Sequence, residues 1–346
     1  MVHKEDLQNI YQHCKTEFAE LDQKTIFVTG GTGFFGKWLL EAIIYANETA
    51  SLEIKCIILS RDPSVFLSAY PQFRRSYLLF VKGDITSFAF PEDKIDFIFH
   101  MATEANVSLN NETPLLMFDV IVEGTRRVLE LAKVKKVKAV LLTSSGAIYG
   151  QQPAEMERIP ETYKGAPDIY NKTVAYGEGK RVAELLSNFY YNHYGVNTKI
   201  ARCFAFVGPY LPLDTHFAIG NFINDILEEK DVLINGDGTP YRSYMYASDL
   251  VIWLIKILFH AQTCDPINVG SDQFLTIQEL AQTILNLCPD STAKISIAKK
   301  SSSKIVQRYV PSIEKAKDML GLSVTVPLEE SILRTIAFNK NYLKLN

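Results

Sequence analysis

An apolar strand that runs straight into three evenly spaced glycines constrains this chain more than any other feature. Residues 25–36 read Thr-Ile-Phe-Val-Thr-Gly-Gly-Thr-Gly-Phe-Phe-Gly, with glycines at 30, 33 and 36 and the rings of Phe34 and Phe35 between the last two. Lys37-Trp38-Leu39-Leu40-Glu41-Ala42-Ile43-Ile44 then opens with helical periodicity. Strand, glycine turn and helix N-terminus together form a phosphate cradle. Glycine permits the tight turn and lets backbone N–H groups approach a pyrophosphate, while the helix dipole favours its charge. The spacing is Gly-x-x-Gly-x-x-Gly rather than the plain Gly-x-Gly-x-x-Gly, and the flanking strand and helix carry the inference more than the glycines do.

The same strand–helix alternation continues along the chain. Apolar runs at 26–29, 54–59, 77–81, 95–100, 139–143 and 198–202 read as strands, and 35–46, 113–133 and 172–193 as helices. Short β-branched runs separated by helical patterns predict βαβ units, hence an α/β fold with a doubly wound parallel sheet of Rossmann type. Residues 5–21 read as one amphipathic helix, so 1–23 forms an N-terminal helical extension. The dinucleotide-binding domain spans 24–205, and 243–262 is expected to return a helix to it. Pro- and Gly-bearing loops loosen the rhythm after 205, and 206–242 with 263–346 are read as a smaller α/β substrate-binding lobe. Within that lobe Thr276 caps a helix at 277–287, and 312–320 and 328–338 are helical.

Composition excludes several classes. A net charge of -3 over 346 residues offers no basic footprint for nucleic acid. The apolar run from Val251 to Phe259 is too short for a membrane span and contains Lys256, and the N-terminus lacks the apolar core of a signal peptide. Five cysteines without a Cys-x-x-Cys pair fit reduced thiols in a cytoplasmic protein, and the six histidines show no metal-ligand spacing.

A second constellation supplies chemistry. Tyr176 and Lys180 stand four apart in a helical pattern, so both side chains share one face. An ammonium beside a phenol favours the phenolate, which lowers its pKa towards neutrality and lets it take a proton from a sugar hydroxyl. The pair alone is weak: the chain has 17 tyrosines, and Tyr11 with Lys15 repeats the spacing without any strand–turn context. Tyr176 differs because its helix follows the fifth strand by one loop, at the sheet edge where doubly wound folds bind ligands. That strand closes in Thr143-Ser144-Ser145-Gly146-Ala147-Ile148-Tyr149-Gly150. A strand-end hydroxyl there can hydrogen-bond the oxygen that Tyr176 deprotonates.

With these residues in place, the sequence resembles the extended short-chain dehydrogenase/reductases that act on nucleotide sugars. The resemblance rests on Gly30, Gly33 and Gly36; Gly83-Asp84-Ile85; His100-Met101-Ala102-Thr103; the 143–150 segment; Tyr176 and Lys180; Arg202 through Gly208-Pro209; Gly236-Asp237-Gly238 with Arg242; and Asp249-Leu250. It implies an enzyme carrying NAD(P), a nucleoside-diphosphate sugar as substrate, and a homodimer joined through helices near 113–133 and 172–193. It further implies that Asp84, beside Ile85, binds adenine and that Ala102 and Thr103 line the pyrophosphate and ribose. Tyr176 would be the base, with Lys180 tuning it and holding the nicotinamide ribose, and Ser145 would share the substrate hydroxyl. Arg242 would contact the diphosphate, Asn221 the nucleotide, and Glu104 would face the sugar.

Absences narrow the reaction. The family's 4,6-dehydratases carry an Asp-Glu pair directly after the strand-end hydroxyl, and its uronic acid decarboxylases keep the glutamate; here those positions are Gly146 and Ala147. Neither side chain donates or accepts a proton. The expected reaction is 4-epimerisation or carbonyl reduction, with dehydration as the alternative if another acid such as Glu104 substitutes. The Asn that the family places in its Arg-x-Phe-Asn segment is Ala205, which bears on how a substrate is seated. After the second strand, where an NAD enzyme usually has an acid, the chain reads Ser60-Arg61-Asp62. Arg61 can pair with a 2′-phosphate, favouring NADP(H), with NAD the alternative. A different class remains: a catalytically idle dinucleotide-binding sensor or scaffold, against which the joint presence of Ser145, Tyr176 and Lys180 argues.

Overall fold

In the computed structural model, which describes residues 2–103, 112–215, 217–299 and 307–343, the chain alternates strand and helix through its first two-thirds. In chain order the elements are α1 (Lys4–His13), α2 (Lys15–Leu21), β1 (Thr25–Thr29), α3 (Phe34–Ala50), β2 (Lys55–Ser60), α4 (Pro63–Ala69), β3 (Leu78–Lys82), β4 (Phe97–His100), α5 (Pro114–Lys135), β5 (Ala139–Ser145), α6 (Ala175–Tyr194) and β6 (Thr198–Cys203). Then follow β7 (Phe206–Val207), α7 (Ala218–Leu227), β8 (Val232–Ile234), β9 (Tyr241–Ser243), β10 (Met245–Tyr246), α8 (Ala247–His260), β11 (Ile267–Val269), β12 (Phe274–Thr276), α9 (Ile277–Asn286), β13 (Ile295–Ile297), β14 (Arg308–Tyr309), α10 (Glu314–Leu320) and α11 (Leu328–Leu343).

Seven strands form one sheet in the order β11-β6-β5-β4-β1-β2-β3, every pair parallel. This is the doubly wound arrangement expected from the sequence. Because side chains alternate across a strand, β1 sends Ile26 and Val28 into a core with Trp38, Leu39 and Leu250 on one face. It sends Phe27 to the other face, into a core with Val128, Leu129, Leu186 and Tyr190 of α5 and α6. The direction of the chain reverses across the sheet between β1 and β4, which places a ligand crevice at their C-terminal ends.

Two segments depart from the sequence reading. The single helix expected over 5–21 is broken at Cys14, whose Sγ donates to the carbonyl of Ile252 at 3.8 Å. The break leaves Tyr11 and Lys15 on separate helices, so that pair has no shared face. Both helices belong to the main core: Ile10, Cys14 and Phe18 are fully buried against the α3 and α8 layer. The buried Asp6 carboxylate accepts the Tyr246 hydroxyl at 2.7 Å and pairs with Arg334. The second departure is β11, which lies in the segment read as a substrate lobe yet adds the last strand of the large sheet beside β6. α8 packs against β5 and β6 on the α3 face.

The remaining elements build a second core from Phe222, Ile223, Val232, Leu280, Ile284 and Ile332. Within it Thr276 and Glu279 form a reciprocal capping box at the start of α9. Among the described residues no helix is long and apolar enough to cross a membrane, and no cluster of side chains could hold a metal ion. All five cysteines are free thiols.

Candidate active site

The cradle is built by close backbone approach. Gly30 ends β1 at φ +72°, and a Cβ there would stand 2.6 Å from the carbonyl carbon of Met101 and 2.7 Å from the nitrogen of Ala102. Gly36 admits no side chain either, since a Cβ would lie 2.3 Å from the Gly30 carbonyl oxygen. The loops after β1 and β4 therefore touch across the crevice only because glycine is present. Gly33 is the N-cap of α3 and supplies no side-chain cap, which leaves first-turn N–H groups facing the crevice mouth. Phe35 packs edge-on to Phe206 at 5.0 Å and tilts against Phe34 at 5.8 Å, fixing the turn to the main core. These features fit a dinucleotide pyrophosphate.

A polar relay fastens the β4 loop to this cradle. Thr29 Oγ1 accepts the Ala102 N–H at 3.1 Å and contacts His100 Nδ1 at 2.8 Å. The other ring nitrogen of His100 meets Thr125 Oγ1 at 3.0 Å. Burial, followed by the charge of Lys180, pushes the His100 pKa down to about 3, so the ring is neutral. Thr103 Oγ1 donates to the Ala102 carbonyl at 2.7 Å and accepts from Lys180 Nζ at 2.7 Å. Neither Thr29 nor Thr125 stands out in the sequence, because their partnership with His100 crosses three elements.

Further along the crevice, Ser60 ends β2 buried, and its carbonyl accepts the Gly83 N–H at 3.0 Å. Arg61 is exposed beside the Asp84 carboxylate, which also accepts from Thr86 N at 2.9 Å and Thr86 Oγ1 at 2.6 Å. Asp62 is engaged in capping α4, accepting from Val65 N at 3.1 Å and Ser64 Oγ at 2.6 Å. Ile85 is buried against Gly124 of α5.

Ser145, Tyr176 and Lys180 come together at the end of β5. Lys180 Nζ donates to the Thr143 carbonyl at 2.6 Å and lies 5.9 Å from the centre of the Tyr176 ring. Ser145 is hydrogen-bonded to Tyr176 and accepts the Ala147 N–H at 3.1 Å. Ser144 is committed elsewhere, donating to Glu184 at 2.5 Å, and Glu184 in turn is clamped by Arg202. The electrostatics correct one expectation: the Tyr176 phenol is pushed up to about 12 by burial, with the Ser145 hydrogen bond acting in the opposite direction. Lys180 Nζ donates to Thr103 and the Thr143 carbonyl rather than to the phenol, and burial brings the lysine itself down to about 8.

Arg242 and Asn221 sit apart from that trio. Arg242 lies on β9, half-buried beside Tyr244 and Tyr309, and its Nη1 donates to the Tyr241 carbonyl at 2.8 Å. Burial lowers its pKa, and among the described residues no carboxylate pairs with it. Asn221 occupies the first turn of α7, half-buried. Glu104 lies outside the described residues.

One site residue escaped the sequence. Tyr309 is hydrogen-bonded to Ser145 and faces Tyr176, Cys203 and Arg242. Its ring packs 4.7 Å from that of Phe204. A Cβ on Gly146 would stand 2.7 Å from Phe204 ring atoms and 2.8 Å from the Tyr309 hydroxyl. No local pattern marks Tyr309; the parallel pairing of β14 with β9, Tyr309 opposite Arg242, brings it to the site.

Fold and site together define a doubly wound dinucleotide-binding protein with a Tyr-Lys-Ser constellation at the cofactor crevice. The sequence profile of the NAD dependent epimerase/dehydratase family matches residues 26–270, and the chain belongs to that family. It is 31% identical over 309 residues to UDP-glucuronic acid decarboxylase 6 of Arabidopsis thaliana, covering 89% of this chain and 86% of the relative. With UDP-glucuronic acid decarboxylase 1 of Xenopus tropicalis it shares 28% over 348 residues, covering 99% and 79%. Among solved structures, the UDP-glucose 4-epimerase of Thermotoga maritima superposes with a TM-score of 0.80 at 24% identity, over 92% of this chain and 99% of that one.

Proposed function

We propose that this protein is a nucleotide-sugar 4-epimerase or ketoreductase. Bound NAD(P) supplies the hydride acceptor and donor. Tyr176 accepts the proton of a sugar hydroxyl, Ser145 hydrogen-bonds the same oxygen, and Lys180 holds the adjoining ribose through the position that Thr103 and the Thr143 carbonyl give it. Arg242, a half-buried cation with no carboxylate partner among the described residues, suits a diphosphate. Asn221 is assigned to the nucleotide, and Asp84 with Ile85 to the adenine pocket. Arg61, at the end of β2, is the residue assigned to a 2′-phosphate, which favours NADP(H) over NAD. The names of the decarboxylase relatives make a uridine-diphosphate sugar, UDP-glucuronic acid above all, the first substrate to test.

The observation that carries this reading is the crowding at Gly146. At the position that bears the first acid of a dehydratase a side chain would have to displace the Phe204 ring and the Tyr309 hydroxyl, and Ala147 follows it. Sugar oxidation and hydride return need only Tyr176, Lys180 and Ser145. A second reading, decarboxylation of a uronic acid, is favoured by the names of the relatives, but Ala147 supplies no carboxylate for it.

We further assign a homodimer through α5 and α6, where Leu115, Leu116, Leu185 and Phe189 are exposed. Five free thiols suit a reducing, cytoplasmic setting. Tyr176→Phe, assayed with cofactor loaded against UDP-, dTDP-, GDP- and CDP-sugars, tests the reading. Loss of turnover by about a hundredfold or more supports it, and unchanged turnover rejects it.

A further inference from the structure

We propose that Tyr309 is a positioning residue for the proton transfer, holding Ser145 so that its hydroxyl hydrogen points at the Tyr176 oxygen. The proposal rests on the assignment of Tyr176 as base.

Hydrogen-bond valence at Ser145 fixes the direction of each bond. A serine hydroxyl has one hydrogen to give and two lone pairs to accept with. One lone pair of Ser145 is taken by the Ala147 N–H at 3.1 Å. Two phenols, Tyr176 and Tyr309, hydrogen-bond to the same oxygen. A single remaining hydrogen and a single remaining lone pair cannot serve both phenols in the same sense. When Tyr176 is the phenolate it must accept, so Tyr309 must donate. The arrangement then reads Tyr309 O–H to Ser145 Oγ, and Ser145 O–H to Tyr176 O⁻. Each donor polarises the next, which strengthens the bond to the phenolate. Once Tyr176 has taken the proton of the sugar hydroxyl it no longer needs the Ser145 hydrogen, which turns to the sugar oxygen while Tyr309 goes on donating to Ser145 Oγ.

The fold holds Tyr309 to this role. Its ring is clasped by Phe204, its backbone pairs with Arg242 on β9, and its hydroxyl fills the space over Gly146, where any side chain would displace it. Among the described residues, the charged and titratable groups around the two phenols are Cys203 on β6, Arg242 on β9 and Lys180 on α6. Burial holds the Cys203 thiol up at about 12, so it is neutral across the working range. Removing the Tyr309 hydroxyl therefore weakens a hydrogen bond that favours the Tyr176 phenolate without changing a formal charge.

The experiment compares wild type, Tyr309→Phe, Ser145→Ala and the double variant, cofactor loaded, by kcat/KM against pH with the best-turned-over nucleotide sugar. Tyr309→Phe is expected to move the acid limb to higher pH. The loss would be about tenfold below the limb and would close above it, since one pH unit of limb movement is a tenfold change in phenolate. In the Ser145→Ala background the same substitution should have no further effect. A loss equal at every pH, an undisplaced limb, or an undiminished effect without Ser145 would each overturn the proposal. Fluorotyrosine at 309, a stronger donor that keeps the ring, should move the limb the opposite way. Tyr176→Phe run alongside separates the two ideas: if it turns over normally the base assignment fails, whereas if it is inactive and Tyr309→Phe keeps the wild-type profile only this inference fails.

Discussion

The hydroxyl of Tyr309 stands where a side chain at Gly146 would have to begin, 2.8 Å from the ideal Cβ position. Restoring the acid pair of a dehydratase therefore requires Phe204 and Tyr309 to move. Gly146→Asp combined with Ala147→Glu should lower stability by about 1–3 kcal/mol through overpacking against Phe204 and Tyr309. Thermal unfolding measures that loss, and product mass should show no elimination of water.

Gly30→Ala tests the cradle. The positive φ costs an alanine about 1 kcal/mol or more, and the contact with the Met101 carbonyl adds to it. The β1 and β4 loops must separate, so dinucleotide affinity by calorimetry should fall at least about tenfold, while far-ultraviolet dichroism stays native.

Lys37 gives a pH-dependent prediction away from the chemistry. It lies on α3 with its ammonium 4.4 Å from the centre of the Tyr70 ring and 4.8 Å from that of Tyr210. Burial lowers its pKa from 10.5 to about 8. Between those values the unfolded chain holds the proton and the native protein does not, so stability rises with pH across that window. Lys37→Met should be more stable than wild type by about 1–3 kcal/mol at neutral pH, with the difference shrinking as pH climbs past 8 towards 10.5. Denaturant midpoints at several pH values measure it.

His100 acts with the same sign in an acid window. Its pKa falls from 6.5 to about 3, so as pH drops through that range the unfolded chain takes up a proton that the native ring refuses. Its contribution therefore lowers stability by about 1.4 kcal/mol per pH unit on the way down. His100→Gln should flatten that part of the wild-type curve, and unfolding midpoints between pH 7 and pH 4 would read the difference.

Much of the scaffold was legible because it is written locally. The β1–glycine–α3 unit, the capping box at Thr276 and the Tyr176/Lys180 pair each depend on neighbours a few residues apart, where periodicity and turn chemistry act. What was not legible depends on long-range placement. Tyr309 reaches Ser145 only through the pairing of β14 with β9, and Thr29, His100 and Thr125 meet only after three elements assemble. β11 is a three-residue strand, too short for its period to show against the lobe around it. The raised Tyr176 pKa was not legible either, because burial of the phenol depends on how the elements around it assemble. The spacing put Lys180 on the right face, but the partners that hold its ammonium, Thr103 and the Thr143 carbonyl, come from other strand ends.

The central claim is that the sugar keeps its skeleton while hydride leaves and returns. The most direct measurement is the mass and C4 configuration of the product when cofactor-loaded protein is given UDP-glucose, UDP-glucuronic acid and a 4-keto UDP-sugar, with nicotinamide absorbance followed throughout. The account predicts C4 epimers of unchanged mass without net cofactor turnover, or a ketone reduced by two hydrogens as the reduced nicotinamide is consumed. A product that has lost water or carbon dioxide would contradict it.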